Sequence, residues 1–410
     1  MKNVLLLAFY FPPRSHIASY RSGCFAKFLP ENGWLPTVVC EDWPADRPDY
    51  DPQFVGVIPK EVEIHRVPNP PLSGFYERFV LRKIAPYLWP QRAPIRWWQR
   101  ARAEALLLTR QKHFDAIWAT SDPLTPWALA AELAQKTGLP WVADMRDSFN
   151  VQRMGSWYKR PFLARQERLL SAKANHVVAV SEGLASGLGR QIGKKVTVIH
   201  NGFDETLLPA SPQPPSPLFT IVYAGNLVWP QRNPAPLLRA VELCLQRNLI
   251  PRDQIEVQFY GTDAGLVERA YPGAQARLPV KVLPRIPHQE MLRVAVASTV
   301  LLLISHPLEK GWLTGKVFDY LAAGRPILAV PDDRGEIAAL LQRTGAGVAL
   351  TEVEEIVRQL AAWHGAWKAG ATITTGRNET EIARYSRRLQ AQRLAGILHE
   401  VSDSVTGRAV

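Results

Sequence analysis

Short apolar runs recur along the chain, separated by stretches with the apolar spacing of helices. The first set is NVLLLAFY, LPTVVC, DAIWAT, WVADMR, HVVAVS and VTVIHNG. Within a run the apolar residues are continuous, not alternating, which predicts strands covered on both faces and hence a parallel sheet. Strands alternating with helices predict a doubly wound α/β sheet. The segment PASPQPPSPL, residues 209–218, carries five prolines. Neither a helix nor a central strand tolerates that density, so it reads as a linker. The pattern then restarts with FTIVYAGNL, IEVQFYGT, VKVLP, TVLLLIS, PILAV and GVAL. The expected organisation is a first domain over 1–208, a linker over 209–218 and a second domain over 219–377. A helix-patterned tail, about 378–400, has either domain to pack back on, the first among them.

Length agrees with that division, since 410 residues exceed one ordinary core and suit two domains. Tandem domains of this class leave a cleft at the carboxyl ends of their strands, where such folds bind ligands. The opening MKNVLLLAFYFPPR has a short apolar run followed by Pro12-Pro13-Arg14 instead of small residues, and reads as a buried first strand. Three scattered cysteines support neither a disulfide framework nor a zinc site, which fits a reducing, cytoplasmic setting. No run reaches the length of a membrane span. GxGxxG after the first strand, HExxH and GxSxG are all absent, which argues against a dinucleotide cofactor, a zinc protease and a serine hydrolase.

The net charge of +12 is local: residues 75–113 carry +7 and residues 151–175 carry +5. The first window interleaves its charge with Phe75, Tyr76, Phe79, Tyr87, Trp89, Trp97 and Trp98. A basic and aromatic mixture of this kind suits a lipid headgroup layer. No nucleic-acid motif accompanies it, so nucleic acid is not an expected partner.

One stretch invites chemistry, GWLTGKVFDYLAAGRPIL from Gly311 to Leu328. It does not match a P-loop, because Gly311 stands one residue too close to Gly315-Lys316 and Val317 follows the lysine. Thr314 as N-cap, Gly315 permitting close approach and Lys316 adding charge would still suit a phosphate at a helix start. Asp319, one turn in, suits sugar hydroxyls. An ordinary amphipathic helix, capped by Gly324 and stopped by Pro326, is the other reading of the same residues.

GKVFDYLAAGRPIL resembles the donor-site helix of family 4 glycosyltransferases, retaining enzymes of the GT-B fold that use nucleotide sugars. YFPPRSHIASYR, WVADMRDSF, VVAVSEGLASGL, VTVIHNGFDE, IVYAGNL and FYGTD follow the family's order over residues 1–400. The resemblance implies two Rossmann-like doubly wound domains facing across a cleft, with the donor on the second domain. In the family, a glycine opening the second domain precedes two basic residues that hold the donor diphosphate. Gly225 is here followed by neutral Asn226, with Arg232 six residues on, and Lys316 is expected to supply the missing charge. Of the family's two acids eight residues apart, Asp319 matches the second. The first falls on Gly311, leaving Glu309 as the acid expected to reach the sugar. Gly225, Asn226, Arg232, Arg285, Thr314, Gly315, Lys316, Val317 and Asp319 are thus the expected donor-binding residues, with His288 near the base.

Ser121 stands where the family often has a histidine near the transferred sugar and would position it. The leaving diphosphate is thought to take the acceptor's proton in such enzymes, so Arg232, Lys316, Ser121 and Glu309 form the expected catalytic set. Ser15, His16, Arg21, Asp122, Arg146 and Asp147 are expected on the acceptor side. The reaction implied needs no metal and no cofactor beyond the donor. Asp49–Asp51, a formal DxD, is discounted. A lipid-linked or glycan acceptor in cell-surface polysaccharide or lipopolysaccharide biosynthesis would give the basic windows 75–113 and 151–175 a purpose at the inner face of the membrane. A nucleotide-sugar 2-epimerase and a non-catalytic partner in a polysaccharide assembly complex are the alternatives.

Overall fold

A computed structural model of the protein describes residues 1–47, 49–54, 56–71, 74, 90–148, 160–209, 216–227, 229–305, 313–371, 373 and 376–407. The chain packs as two compact units, Met1–Asn201 with Arg387–Val410, and Gly202–Ser386. Residues 202–208, expected with the first domain, sit in the second unit because Phe203 joins its core and donates its amide to Tyr385 O at 3.1 Å.

The first unit is a seven-stranded sheet of β1 (Lys2–Ala8), β2 (Trp34–Glu41), β3 (Glu63–Val67), β4 (Ala116–Thr120), β5 (Trp141–Met145), β6 (His176–Ala179) and β7 (Thr197–Val198). Its order is β3-β2-β1-β4-β5-β6-β7, with every pairing parallel. The continuous apolar runs have their explanation here. Leu5 and Leu7 enter one core with Trp127 and Leu133, while Val4 and Leu6 enter the opposite core with Phe25 and Phe28. Ala391, Leu394 and Leu398 of the helix Arg387–Thr406 complete that second core. Each such fully buried aliphatic side chain contributes about 1.5–3 kcal/mol of transfer free energy.

Trp97 is a correction to the interfacial expectation. It is fully buried at the edge of Phe9, so it belongs to the core. The solvent-facing residues of its helix, Ile95–Gln111, include Arg100, Ala103, Leu107 and Arg110. Residues 75–89 and 151–159 of the two basic windows lie outside the described residues.

The second unit is a six-stranded sheet of β8 (Phe219–Ala224), β9 (Ile255–Tyr260), β10 (Val280–Leu283), β11 (Val300–Ile304), β12 (Ile327–Val330) and β13 (Gly347–Ala349). The order β10-β9-β8-β11-β12-β13 is again wholly parallel. The chain winds outward from β8 through β9 and β10, then returns to β11 on the other side. β8 and β11 are neighbours whose successors β9 and β12 lie on opposite sides, so this pair is the switch point, where such sheets hold a crevice at the strands' carboxyl ends. Among the described residues no helix is long and apolar enough to cross a membrane.

Candidate functional site

The β8–β11 crevice collects most of the expected donor residues. Gly225 follows β8 with φ of +122°, a conformation that side chains rarely adopt. Its turn is fixed from three sides. Gly225 donates its amide to Tyr260 O at 2.8 Å, Thr262 Oγ1 donates to Gly225 O at 2.6 Å, and Ala224 donates its amide to Tyr320 Oη at 3.0 Å. A Cβ added at Gly225 would lie 2.7 Å from Lys316 Nζ, so glycine makes room for the ammonium.

Lys316 opens the helix Lys316–Ala323, and its Nζ lies 4.2 Å from the centre of the Tyr223 ring. The ring face attracts a cation. Arg232 hydrogen-bonds the Tyr223 hydroxyl, which in turn donates to Asn226 O at 3.1 Å. The residue Lys316 keeps some solvent contact, yet its ammonium is enclosed by protein. Burial, with the nearby Arg232 charge, brings it down from 10.5 to about 7. Among the described residues no carboxylate enters that balance. Two cations share a partly dry pocket without a counter-charge among the described residues, an arrangement that an anion would relieve.

The helix start differs from the expected one. Gly315, not Thr314, is the N-cap, and no side chain caps the helix. Thr314 instead offers its carbonyl to the Val317 amide at 3.2 Å, and the Val317 side chain is fully buried in the core. The amides of Gly315 and Lys316 precede the first intrahelical bonds and are available to a ligand. Asp319 Oδ2 lies 3.0 Å from His288 Nε2, so the expected ribose acceptor is oriented by a histidine from the helix His288–Ala297. Arg285 is exposed and packs on Gly261 at the end of β9. Glu309 and Gly311 lie outside the described residues.

In the first unit a second cluster forms at the ends of β1, β4 and β5. Arg146, 8% exposed, donates to Thr120 Oγ1 at 3.0 Å and to the carbonyls of Ser121 and Asp122. That fork locks the loop after β4 and buries Ser121. Burial lifts the Asp122 carboxyl to about 6, against the pull of Arg146. His16 stacks on Tyr10 with ring centres 4.2 Å apart. Burial, Arg146 and Arg14 push it down to about 4, so it is neutral at physiological pH. Its Nδ1 accepts the Ala18 amide at 3.2 Å, which fixes the proton on Nε2. Ser15 is held by its own amide, which donates to Asp49 O at 2.6 Å, and Asp147 is partly buried beside Asp122.

Arg21 departs from its expected place on the acceptor side. Its side chain is 0% exposed, pairs with Asp144 at 2.6 Å and donates to His200 O at 2.9 Å. Thr120 Oγ1 also donates to Asp144, at 2.9 Å. Arg21 is thus an internal strut that ties β5 to the first helix, Ile17–Phe28. Asp51 of the discounted DxD is buried and accepts the Gln53 amide at 3.0 Å.

Comparisons with known proteins agree with this architecture. Residues 24–207 match the model of Glycosyltransferase Family 4. The Anabaena protein Alr3699/HepE, whose crystal structure is in complex with UDP and glucose, aligns over 98% of this chain and 100% of its own at 16% identity, with a TM-score of 0.65. A glycosyltransferase from Rickettsia africae ESF-5 aligns over 100% and 99% at 13% identity, with a TM-score of 0.65. The chain has the GT-B fold. WaaG, a glycosyltransferase involved in lipopolysaccharide biosynthesis, shares this fold over 98% of this chain and 100% of its own, at 11% identity and a TM-score of 0.54. A sequence search of curated proteins finds no match.

Within its GT-B framework the protein places several groups that sequence reasoning missed. Tyr223, Tyr320 and Thr262 build the Gly225 turn, and Tyr10 and Arg14 build the surroundings of His16. Tyr223 lies in the IVYAGNL block, two residues before Gly225, and that proximity was an available signal. Thr262 and Tyr320 come from segments distant from Gly225, whereas Tyr10 and Arg14 lie in the same block as His16.

Proposed function

We propose that the protein is a retaining glycosyltransferase, moving a sugar from a nucleotide-sugar donor to a lipid-linked or growing glycan acceptor in cell-surface polysaccharide biosynthesis. The observation that carries the reading is the Arg232–Lys316 pair, two cations with no carboxylate among the described residues in their balance, packed against the Gly225 turn at the switch point. The family match over residues 24–207 and the fold shared with a UDP-bound protein support it. In the reaction the bond from the anomeric carbon to the diphosphate breaks and the acceptor oxygen bonds that carbon. The acceptor's proton passes to the departing diphosphate. Negative charge grows on the diphosphate as the bond breaks, so Arg232, Lys316 and the helix amides stabilise the transition state more than the ground state. Asp319 would hold the ribose hydroxyls. No metal or protein-bound cofactor is required on this reading.

The acceptor would bind the first unit, where Asp122 accepts and the His16 Nε2–H donates hydrogen bonds, while Ser121 and Arg146 hold the loop. The helix Arg160–Lys173 presents Phe162 and Leu169, 46% and 41% exposed, beside Arg165 and Arg168. An apolar and basic face of this kind suits peripheral docking on the inner leaflet, where a lipid-linked acceptor resides.

Calorimetry against UDP, GDP, ADP and dTDP sugars tests the core of the reading. One nucleotide class should bind with a single site, and Lys316→Met and Arg232→Ala should each weaken it. Binding by none of them refutes the donor site. Turnover of a donor without any acceptor would instead support an epimerase, and donor binding with no transfer across many acceptors a non-catalytic partner.

A further inference from the structure

Ser305 is a polar residue at the switch point with no role so far. β11 ends at Ile304, and Ser305 continues its ladder by donating its amide to Val330 O at 3.0 Å. The β8–β11 register sets Val300 opposite Ile221 and Leu301 opposite Val222. Counted on in the same register, Ser305 falls level with Asn226, the residue after Gly225. Strand alternation turns the Ser305 side chain to the face of Leu301 and Leu303. That face is covered by Val317, Phe318 and Leu321 of the helix Lys316–Ala323.

The residue is 1% exposed, and among the described residues its hydroxyl has no hydrogen-bond partner. A buried hydroxyl in that state has given up its bonds to water and gained nothing in exchange. Such groups are scarce in native structures, and each calls for an explanation. Alanine would fill the position without that cost. The helix that covers this face is the one that begins at Lys316, with no side chain capping its start.

We infer that Ser305 donates its hydroxyl to a phosphate oxygen of the bound donor. The inference rests on the nucleotide-sugar reading of this site and adds a residue to it. Asn226 is neutral where a second cation is expected, and a hydroxyl is a suitable supplement. It grips an anionic oxygen with a short, charge-assisted bond yet adds nothing to the repulsion between Arg232 and Lys316. It also distinguishes the phosphate by direction, which an ammonium on a flexible stem does poorly.

Titration of wild type and Ser305→Ala with inorganic pyrophosphate, and with the nucleotide sugar the wild type binds, tests this. The alanine variant should bind both about tenfold more weakly, the loss of one hydrogen bond to a charged group. Its thermal midpoint should stay level or rise, because an unsatisfied buried group has been removed. Unchanged affinity overturns the assignment, as does a lower midpoint with unchanged binding, which marks a packing role. A loss confined to the nucleotide sugar places the hydroxyl on the sugar and overturns it too, and so does a wild type that ignores pyrophosphate. Wild-type binding of pyrophosphate but of no nucleotide sugar defeats the nucleotide-sugar reading instead and leaves the Ser305 comparison intact.

Discussion

Donor binding should draw a proton onto Lys316. The ammonium titrates at about 7 in the unliganded site, depressed by burial and by Arg232. At pH 8 only about a tenth of the molecules carry that charge. A diphosphate beside Nζ reverses the electrostatics and returns the group toward its ordinary range, so about 0.9 proton is taken up per donor bound at pH 8. Affinity must then fall as pH rises between about 7 and 10.5, approaching tenfold per pH unit. Stability of the empty protein runs the other way. The unfolded chain binds the proton that the folded one releases, so this group's contribution to stability rises with pH across the same window. Calorimetry at pH 8 in two buffers of different ionisation enthalpy measures the uptake directly. A nucleotide sugar is the right probe, since its diphosphate diester does not titrate there. Tight binding without proton uptake refutes the reasoning, and so does an uptake that survives in Lys316→Met.

Four further outcomes follow from the geometry. Asp144→Ala should destabilise the first unit by about 3–5 kcal/mol, read by urea denaturation, because it strands the fully buried Arg21 charge; a loss below about 1 kcal/mol would contradict the strut role. Asp319→Ala should weaken donor binding by about 1–3 kcal/mol in calorimetry, and wild-type affinity would remove Asp319 from the donor site. Transfer activity should be unchanged in EDTA, whereas an absolute requirement for manganese would refute the metal-free reading. Arg165→Glu with Arg168→Glu should reduce sedimentation with phosphatidylglycerol vesicles by the equivalent of about 1 kcal/mol per residue, leaving donor affinity unchanged; equal sedimentation of variant and wild type would sink the docking surface.

The strands were legible because burial on both faces writes itself as an unbroken apolar run. NVLLLAFY is β1 and TVLLLIS is β11, each wholly or mostly buried. β3 escaped notice for the converse reason. Glu63–Val67 is an edge strand with exposed Glu63 and Arg66, so its sequence EIHRV carries no continuous run. The donor helix was legible as a stretch, but its capping was not. Thr314 has the chemistry of an N-cap, yet the chain begins its helix one residue later, at a glycine. Arg21 shows the limit more sharply. Its position after the first strand suggested a ligand-facing cation, but its partner Asp144 is 123 residues away. Nothing in local pattern announces such a pair. The same holds for Asp319 with His288 and for Ser305, whose significance lies in register across the sheet and not in its neighbours along the chain.

The exchange of a turn cation for Lys316 has a physical consequence of its own. A basic side chain at position 226 would project from an exposed residue and keep its charge in water at all times. Lys316 reaches the same turn from the start of a helix, packs on the Tyr223 ring and meets Arg232. Keeping it charged there before a ligand arrives would set two cations against each other in a partly dry pocket, which is why its proton is held so weakly. The full positive charge is thus assembled only with the anion present. On the proposed function Arg232 would draw the diphosphate in through a planar guanidinium fork matched to phosphate oxygens. Lys316 would then gain its proton beside the diphosphate, where negative charge grows further as the bond from the anomeric carbon breaks.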